Sequence, residues 1–188
     1  MAAHRPIAPD VSDSELIARV MVSDDHAAFG ELVNRHQSSV RNFLRHLTSG
    51  DHALADDLAQ ETFVQAYRGL TRFRGASVFL TWLLGIAHNQ WRNHRRRPAA
   101  LAVETSDLDR LDPVPASAHL SDLKHDLSAA LRHLDAEERT VLHLHYQEGL
   151  SQSEIAAVLD WPLGTVKTTL TRSREKLRPH LASWNPKT

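Results

Sequence analysis

Residues 150–181, LSQSEIAAVLDWPLGTVKTTLTRSREKLRPHL, decide the fold class of this 188-residue chain. Ser151-Gln152-Ser153-Glu154 is a capping box, in which a serine and a glutamate three residues on satisfy each other's backbone amides and start a helix. Ile155, Ala156 and Leu159 give that short helix one apolar side. Asp160-Trp161-Pro162-Leu163-Gly164 reads as a tight turn, and a second helix beginning near Thr165 has Val166, Leu170 and Leu177 inward by spacing. Two short helices joined by a Pro/Gly turn form a helix-turn-helix, with small Ala156 where the helices cross. The second helix turns Lys167, Thr168, Thr171, Arg172, Arg174 and Lys176 outward against one acid, Glu175. Such a basic, hydroxyl-bearing face is what a helix entering the DNA major groove presents. An ordinary hairpin with a solvated face does not call for capping box, turn and basic second helix in this order.

Immediately upstream, Leu120, Leu123, Leu127, Leu131 and Leu134 recur at helical spacing, and Ala136 to Tyr146 continues as a further helix through Val141, Leu142 and Leu144. Before that the pattern stops. Residues 98–120 carry Pro113 and Pro115 and the acids Glu104, Asp107, Asp109 and Asp112, so they read as an acidic linker, extended where the prolines cluster.

On the other side of the linker stands Asp56 to Arg97, DDLAQETFVQAYRGLTRFRGASVFLTWLLGIAHNQWRNHRRR. Asp56, Asp57 and Glu61 open it, and no further acid occurs until Glu104, whereas Arg68, Arg72, Arg74, Arg92, Arg95, Arg96 and Arg97 all fall between. Seven arginines without a counter-carboxylate suit a phosphate-contacting surface. Interleaved Phe73, Phe79, Trp82 and Trp91 suit stacking on unpaired bases, which a merely solvated face would not need. Leu54, Leu58, Phe63, Ala66, Tyr67 and Leu70 point inward from a helix over His52 to Leu70, leaving Asp56, Asp57, Gln60 and Glu61 largely outward. Thr71 to Ser77 is a loop around Gly75, and a helix of some twenty residues follows until Pro98 stops it. The spacing of Trp82 with Phe79 and Ile86 fits the core as well as it fits DNA contact. Earlier still, Ser12-Asp13-Ser14-Glu15 caps a short helix, and a longer one over Asp25 to Leu47 carries Phe29, Leu32, Val33, Val40, Phe43, Leu44 and Leu47 at helical spacing.

Composition bounds the rest. Hydrophobic content of 41% and charged content of 24% are those of a globular chain, and the absence of cysteine excludes disulfides and thiolate metal sites. No apolar run approaches the roughly 20 residues that span a bilayer, so neither a membrane segment nor a leader is expected and cytoplasmic residence is the default. The net charge of −1 argues against indiscriminate coating of nucleic acid, so binding rests on local patches. Among 13 histidines, His143 and His145 lie two apart on a helix and face apart, so no metal and no cofactor is expected. No nucleophile–base pair or phosphate loop suggests an enzyme.

Together the two halves resemble bacterial RNA polymerase sigma factors, in particular the small two-domain extracytoplasmic-function group. Residues 56–75 with 79–97 are similar to the family's second conserved region, and 134–181, LDAEERTVLHLHYQEGLSQSEIAAVLDWPLGTVKTTLTRSREKLRPHL, to its fourth. The resemblance implies an all-α protein of two small helical domains joined by a flexible linker: 1–97 binding core polymerase and the −10 element, 98–120 the linker, and 121–188 binding the −35 element. Asp56, Asp57, Gln60 and Glu61 would grip the clamp helices of the largest polymerase subunit, with the flap of the second largest as a further contact. Arg72, Phe73, Arg74, Ser77, Trp82, His88, Asn89, Arg92, Arg95 and Arg96 would hold the opened −10 region. Asn89 falls at the family's base-contacting asparagine, and the arginines hold phosphates. Ser151, Thr165, Lys167, Thr168, Thr171, Arg172 and Arg174 would serve the −35 element, Ser151 and Thr165 by anchoring phosphates at helix N-termini. Departures from the family pattern are Gln90, Arg92 and Asn93 in the −10 helix, and Lys167, which lacks the bidentate fork of arginine. Promoter DNA, core polymerase and an anti-sigma protein are the implied partners. The alternative is a stand-alone helix-turn-helix regulator, which leaves the arginine-aromatic stretch without a purpose.

Overall fold

The computed structural model describes residues 11–75, 77–96, 127 and 129–180, and every regular element among them is helical. The linker 98–120, Arg97 and the stop at Pro98 lie outside the described residues. The chain divides into two compact units, Met1–Ser106 and Asp107–Thr188.

In the first unit, α1 (Asp13–Ser23) starts at a complete capping box between Ser12 and Glu15 and buries Leu16, Ile17 and Val20. α2 (His26–Leu47) is capped by Asp25, whose side chain accepts from the Ala28 amide at 3.0 Å. α1 and α2 are tied by polar contacts that periodicity does not announce. Arg35 donates to Glu31 at 2.9 Å, to Asp13 at 3.1 Å and to the Val11 carbonyl at 2.7 Å, and His36 Nε2 lies 2.6 Å from Asp13 Oδ2. Arg19 Nη2 reaches Asp25 at 2.7 Å. Glu31 and then Asp13 hold Arg35 above its ordinary pKa.

α3 (His52–Gly69), capped by Asp51, crosses α2 and α4 (Phe79–Arg96) on a face of Ala55, Leu58, Ala59, Thr62 and Ala66. Small residues there let neighbouring backbones come close, and the one buried hydroxyl, on Thr62, is satisfied by the Leu58 carbonyl at 2.7 Å. Leu54, Phe63 and Tyr67, expected inward, are half-buried at the margin. A single 3-10 turn, Leu70–Arg72, ends α3. Phe43, Leu32, Leu44, Leu83 and Leu84 fill the middle of the unit, each such burial contributing about 1.5–3 kcal/mol.

In the second unit, helical backbone at 129–131 precedes α5 (Ala136–Leu142). The helix expected to reach Tyr146 stops at Leu142 and widens into a π turn, His143–Gln147. Gly149, at φ +70°, then lets the chain reverse, which a residue with a Cβ does only at a cost. α6 (Gln152–Leu159) and α7 (Leu163–Leu177) complete it, α7 beginning two residues before Thr165. Asp160 in the left-handed region closes α6, and Pro162 opens α7.

Candidate nucleic-acid interface

The outer face of α3 leaves Asp57, Gln60 and Glu61 exposed, because the opposite face is occupied by Ala55, Leu58, Ala59 and Thr62. Glu61 Oε1 accepts from Gln65 at 2.8 Å, one turn on. Asp56 stands apart from that trio: it turns toward α2, where Arg41 Nε is 3.3 Å from its Oδ1.

Beyond α3 the backbone presents exposed Arg72, Arg74 and Ser77 around Gly75, whose φ of +68° makes the turn. Phe73, Phe79 and Trp82 form a triangle of rings with centroids 5.5, 5.3 and 5.7 Å apart. Phe79 is its buried base, and Phe73 and Trp82 are half-buried, with Trp82 resting over Gly69. Trp82 thus both packs and shows an edge to solvent. Asn89 is exposed and lies seven residues on, and Arg96 seven further, so the three share one stripe of α4. Arg95 sits over the Trp91 ring at 5.1 Å, a cation–π contact that orders a side chain otherwise free to wander. Arg92 is half-buried.

His88, expected on the DNA-facing side, is instead 8% exposed with its ring 5.7 Å from that of Trp91. It follows buried Thr81 by seven residues and buried Leu84 by four, so helical spacing puts it on the inner stripe with them. That periodic signal was present in the sequence.

On α7, Val166, Leu170, Ser173 and Leu177 are buried and Thr165, Lys167, Thr168, Thr171, Arg172 and Arg174 are exposed. Lys176, expected outward, reaches back to α5, where Glu138, 3% exposed, lies 2.7 Å from its ammonium. Arg174 also leans back: Nε donates to Tyr146 Oη at 3.0 Å and Nη2 lies 3.3 Å from His145 Nε2. Thr168 and Thr171 donate their hydroxyls to the carbonyls of Gly164 and Lys167 at 2.9 and 3.0 Å. Ser151 is committed to its cap, donating to Glu154 Oε2 at 2.6 Å, so the N-terminus of α6 already faces a carboxylate. The N-terminus of α7 has no side-chain cap and leaves its first amides open beside Thr165. No group of three potential metal ligands occurs among the described residues, and His143 and His145 engage Glu148 and the Leu150 carbonyl locally.

An all-helical chain whose second unit is a helix-turn-helix, and whose first sets an acidic helix beside an arginine-aromatic one, is matched by two family models. Sigma-70 region 2 covers residues 32–100 and Sigma-70, region 4 covers 124–177. The chain belongs to the sigma-70 family of RNA polymerase sigma factors. Its relatives place it in the ECF group: it is 34% identical over 181 residues to the ECF RNA polymerase sigma-E factor of Salmonella typhimurium, covering 89% of this chain and 93% of that one. The protein of the same name from Haemophilus influenzae is 33% identical over 185 residues, covering 91% and 96%. Among solved structures, CnrH in complex with the cytosolic domain of CnrY is similar at a TM-score of 0.63 and 29% identity, over 91% of this chain and 97% of that one. The sigma factor RpoE in complex with the anti-sigma factor NepR, from Bartonella quintana, gives 0.63 and 26% over 82% and 96%. The stand-alone regulator is not favoured, since the first unit also matches a sigma region. Among the described residues no helix is long and apolar enough to cross a membrane.

Proposed function

We propose that this sigma factor divides its two tasks between adjoining surfaces of the first unit and places a third on the second. Asp57, Gln60 and Glu61 dock on the clamp helices of the largest polymerase subunit, with charge complementarity fixing orientation more than affinity. The flap of the second largest subunit is a further contact. Asp56 instead braces α3 against α2.

The surface from Arg72 to Arg96 captures the −10 strand. Opening a base costs a few kcal/mol in unstacking, and a protein without ATP offsets it by binding the freed base. The observation that carries this reading is the Phe73–Phe79–Trp82 triangle, aromatic surface held half-open among exposed arginines. Asn89 reads a base edge, while Arg72, Arg74, Arg92, Arg95 and Arg96 hold phosphates and Ser77 supports the loop; His88 supports α4 from within. α7 reads the −35 element, with Thr165 at its open N-terminus near a phosphate. Ser151 serves by capping α6.

The domain limits are 1–97 and 121–188, with 98–120 threading the polymerase between them. The protein acts in the cytoplasm, performs no covalent chemistry of its own and is held by an anti-sigma protein, by analogy with the RpoE–NepR complex. Run-off transcription from the region upstream of its own gene, with core polymerase, tests the proposal. A transcript dependent on both components is expected, whereas tight operator binding without polymerase would sink it.

A further inference from the structure

The recognition helix carries Thr168 and Thr171 on its exposed face, and their chemistry is not what their residue type suggests. Val166, Leu170, Ser173 and Leu177 define the buried side of α7, and Thr168 and Thr171 project away from it with Arg172 beside them. A hydroxyl has one proton to give. That of Thr168 is given to the Gly164 carbonyl at 2.9 Å and that of Thr171 to the Lys167 carbonyl at 3.0 Å. Both χ1 rotamers open to a helical threonine allow this back-bonding, and in either the hydroxyl proton goes to the backbone. With Oγ1 folded against the helix's own carbonyl, the γ-methyl is the group left facing outward.

The major groove contains one apolar landmark, the thymine C5-methyl, and a methyl surface on a recognition helix suits it. Lys167 and Arg172 remain as the donors on this face, suited to guanine acceptors or phosphate. We propose that Thr168 and Thr171 are specificity-determining residues of the −35 contact, reading thymine by methyl–methyl packing and not by donating a hydroxyl hydrogen bond to it. The proposal rests on α7 being the −35 helix.

The test uses the full chain with core RNA polymerase and a duplex template library randomised across the −35 element. The selected element is resynthesised with deoxyuridine replacing each thymidine in turn, which removes only the C5-methyl. At the positions facing Thr168 and Thr171, loss of one methyl contact is expected to lower transcription about fourfold. Thr168→Ser or Thr171→Ser, which keeps the hydroxyl, abolishes that thymine-to-uracil ratio at its own position. Thr168→Val or Thr171→Val, which keeps methyls and drops the hydroxyl, retains the ratio. A ratio that survives in the serine variants, or disappears in the valine variants, overturns the proposal, as does a selected element indifferent to uracil. If no sequence preference emerges in the randomised region, the assignment of α7 to the −35 element fails first and takes this inference with it. Thermal melting of each variant at these exposed positions separates misfolding from lost contact.

Discussion

The hydroxyl of Tyr146, in the π turn, accepts from Nε of Arg174 on the recognition helix at 3.0 Å, across a separation of 28 residues. His145 joins the grip. Its Nδ1 lies 3.0 Å from the Leu150 carbonyl, which needs a donor there, so Nε2 is left as an acceptor for Arg174. The guanidinium is thereby held at one place on the flank of α7, with its remaining donors free for a phosphate.

Tyr146→Phe removes that hold without removing a charge. Binding of the holoenzyme to promoter DNA should weaken by about three- to tenfold, with the dependence on salt unchanged. Arg174→Ala should weaken binding and also reduce the slope of log affinity against log salt by about one. Affinity titrations at several salt concentrations distinguish the two.

Asp57→Lys combined with Glu61→Lys should abolish or strongly reduce association with core polymerase while the melting temperature stays within a few degrees. Asp56→Asn should do the reverse. It leaves association near normal and costs at most about 1 kcal/mol, because the Arg41 contact is half-exposed. Polymerase pull-down and thermal denaturation read the two effects separately.

His88 and Asn89 are neighbours in sequence on α4, the first buried and the second exposed. His88→Ala should lower stability by about 1–3 kcal/mol, and Asn89→Ala should change it by less than about 0.5 kcal/mol. Only Asn89→Ala should slow promoter opening at full occupancy, as followed by fluorescence of a base analogue in the −10 strand.

Lys176→Met should destabilise the second unit by about 1–3 kcal/mol, since it strands the buried carboxylate of Glu138. Glu138 also caps α5, so Glu138→Gln, which keeps an acceptor for the cap, should cost less than Glu138→Ala. Chemical denaturation of the full chain measures both.

Asp25 gives a pH prediction. The Ala28 amide first, and Arg19 second, hold its carboxyl below the ordinary 3.8. A depressed folded-state value means that the stabilisation is present above 3.8 and is lost as the pH falls through the lower, folded value. Asp25→Asn retains a capping oxygen but not the charge. Its melting temperature should therefore lie below that of the unaltered protein near neutrality and converge with it in acid.

Local features were legible in the sequence wherever a short-range rule decides them. The boxes Ser12/Glu15 and Ser151/Glu154 form with both reciprocal bonds, and Val166, Leu170 and Leu177 are buried as spacing requires. The π turn was not legible, because His143 to Gln147 has the composition of an ordinary helix, and the bond that follows it, from the Leu150 amide to the Leu144 carbonyl at 3.0 Å, spans six residues. Nor were the contacts that join distant segments: Asp13 with His36, Glu138 with Lys176, and Tyr146 with Arg174. Each pairs residues that look like solvated surface until the chain brings them together. Asp56 looked equivalent to Asp57 for the same reason, since one residue along a helix swings a side chain through about 100°, enough to meet Arg41.

The alanine face of α3 carries a consequence for how this protein can vary. Ala55 and Ala66 are wholly buried and Ala59 nearly so, where any larger side chain has to push a helix aside. Asp57, Gln60 and Glu61 ride on the other side of the same rod. Most substitutions at the outer positions are compatible with folding, so that face is free to vary, whereas an added methylene within would displace the whole face at once. The least conspicuous residues of α3 are the ones with least room to change.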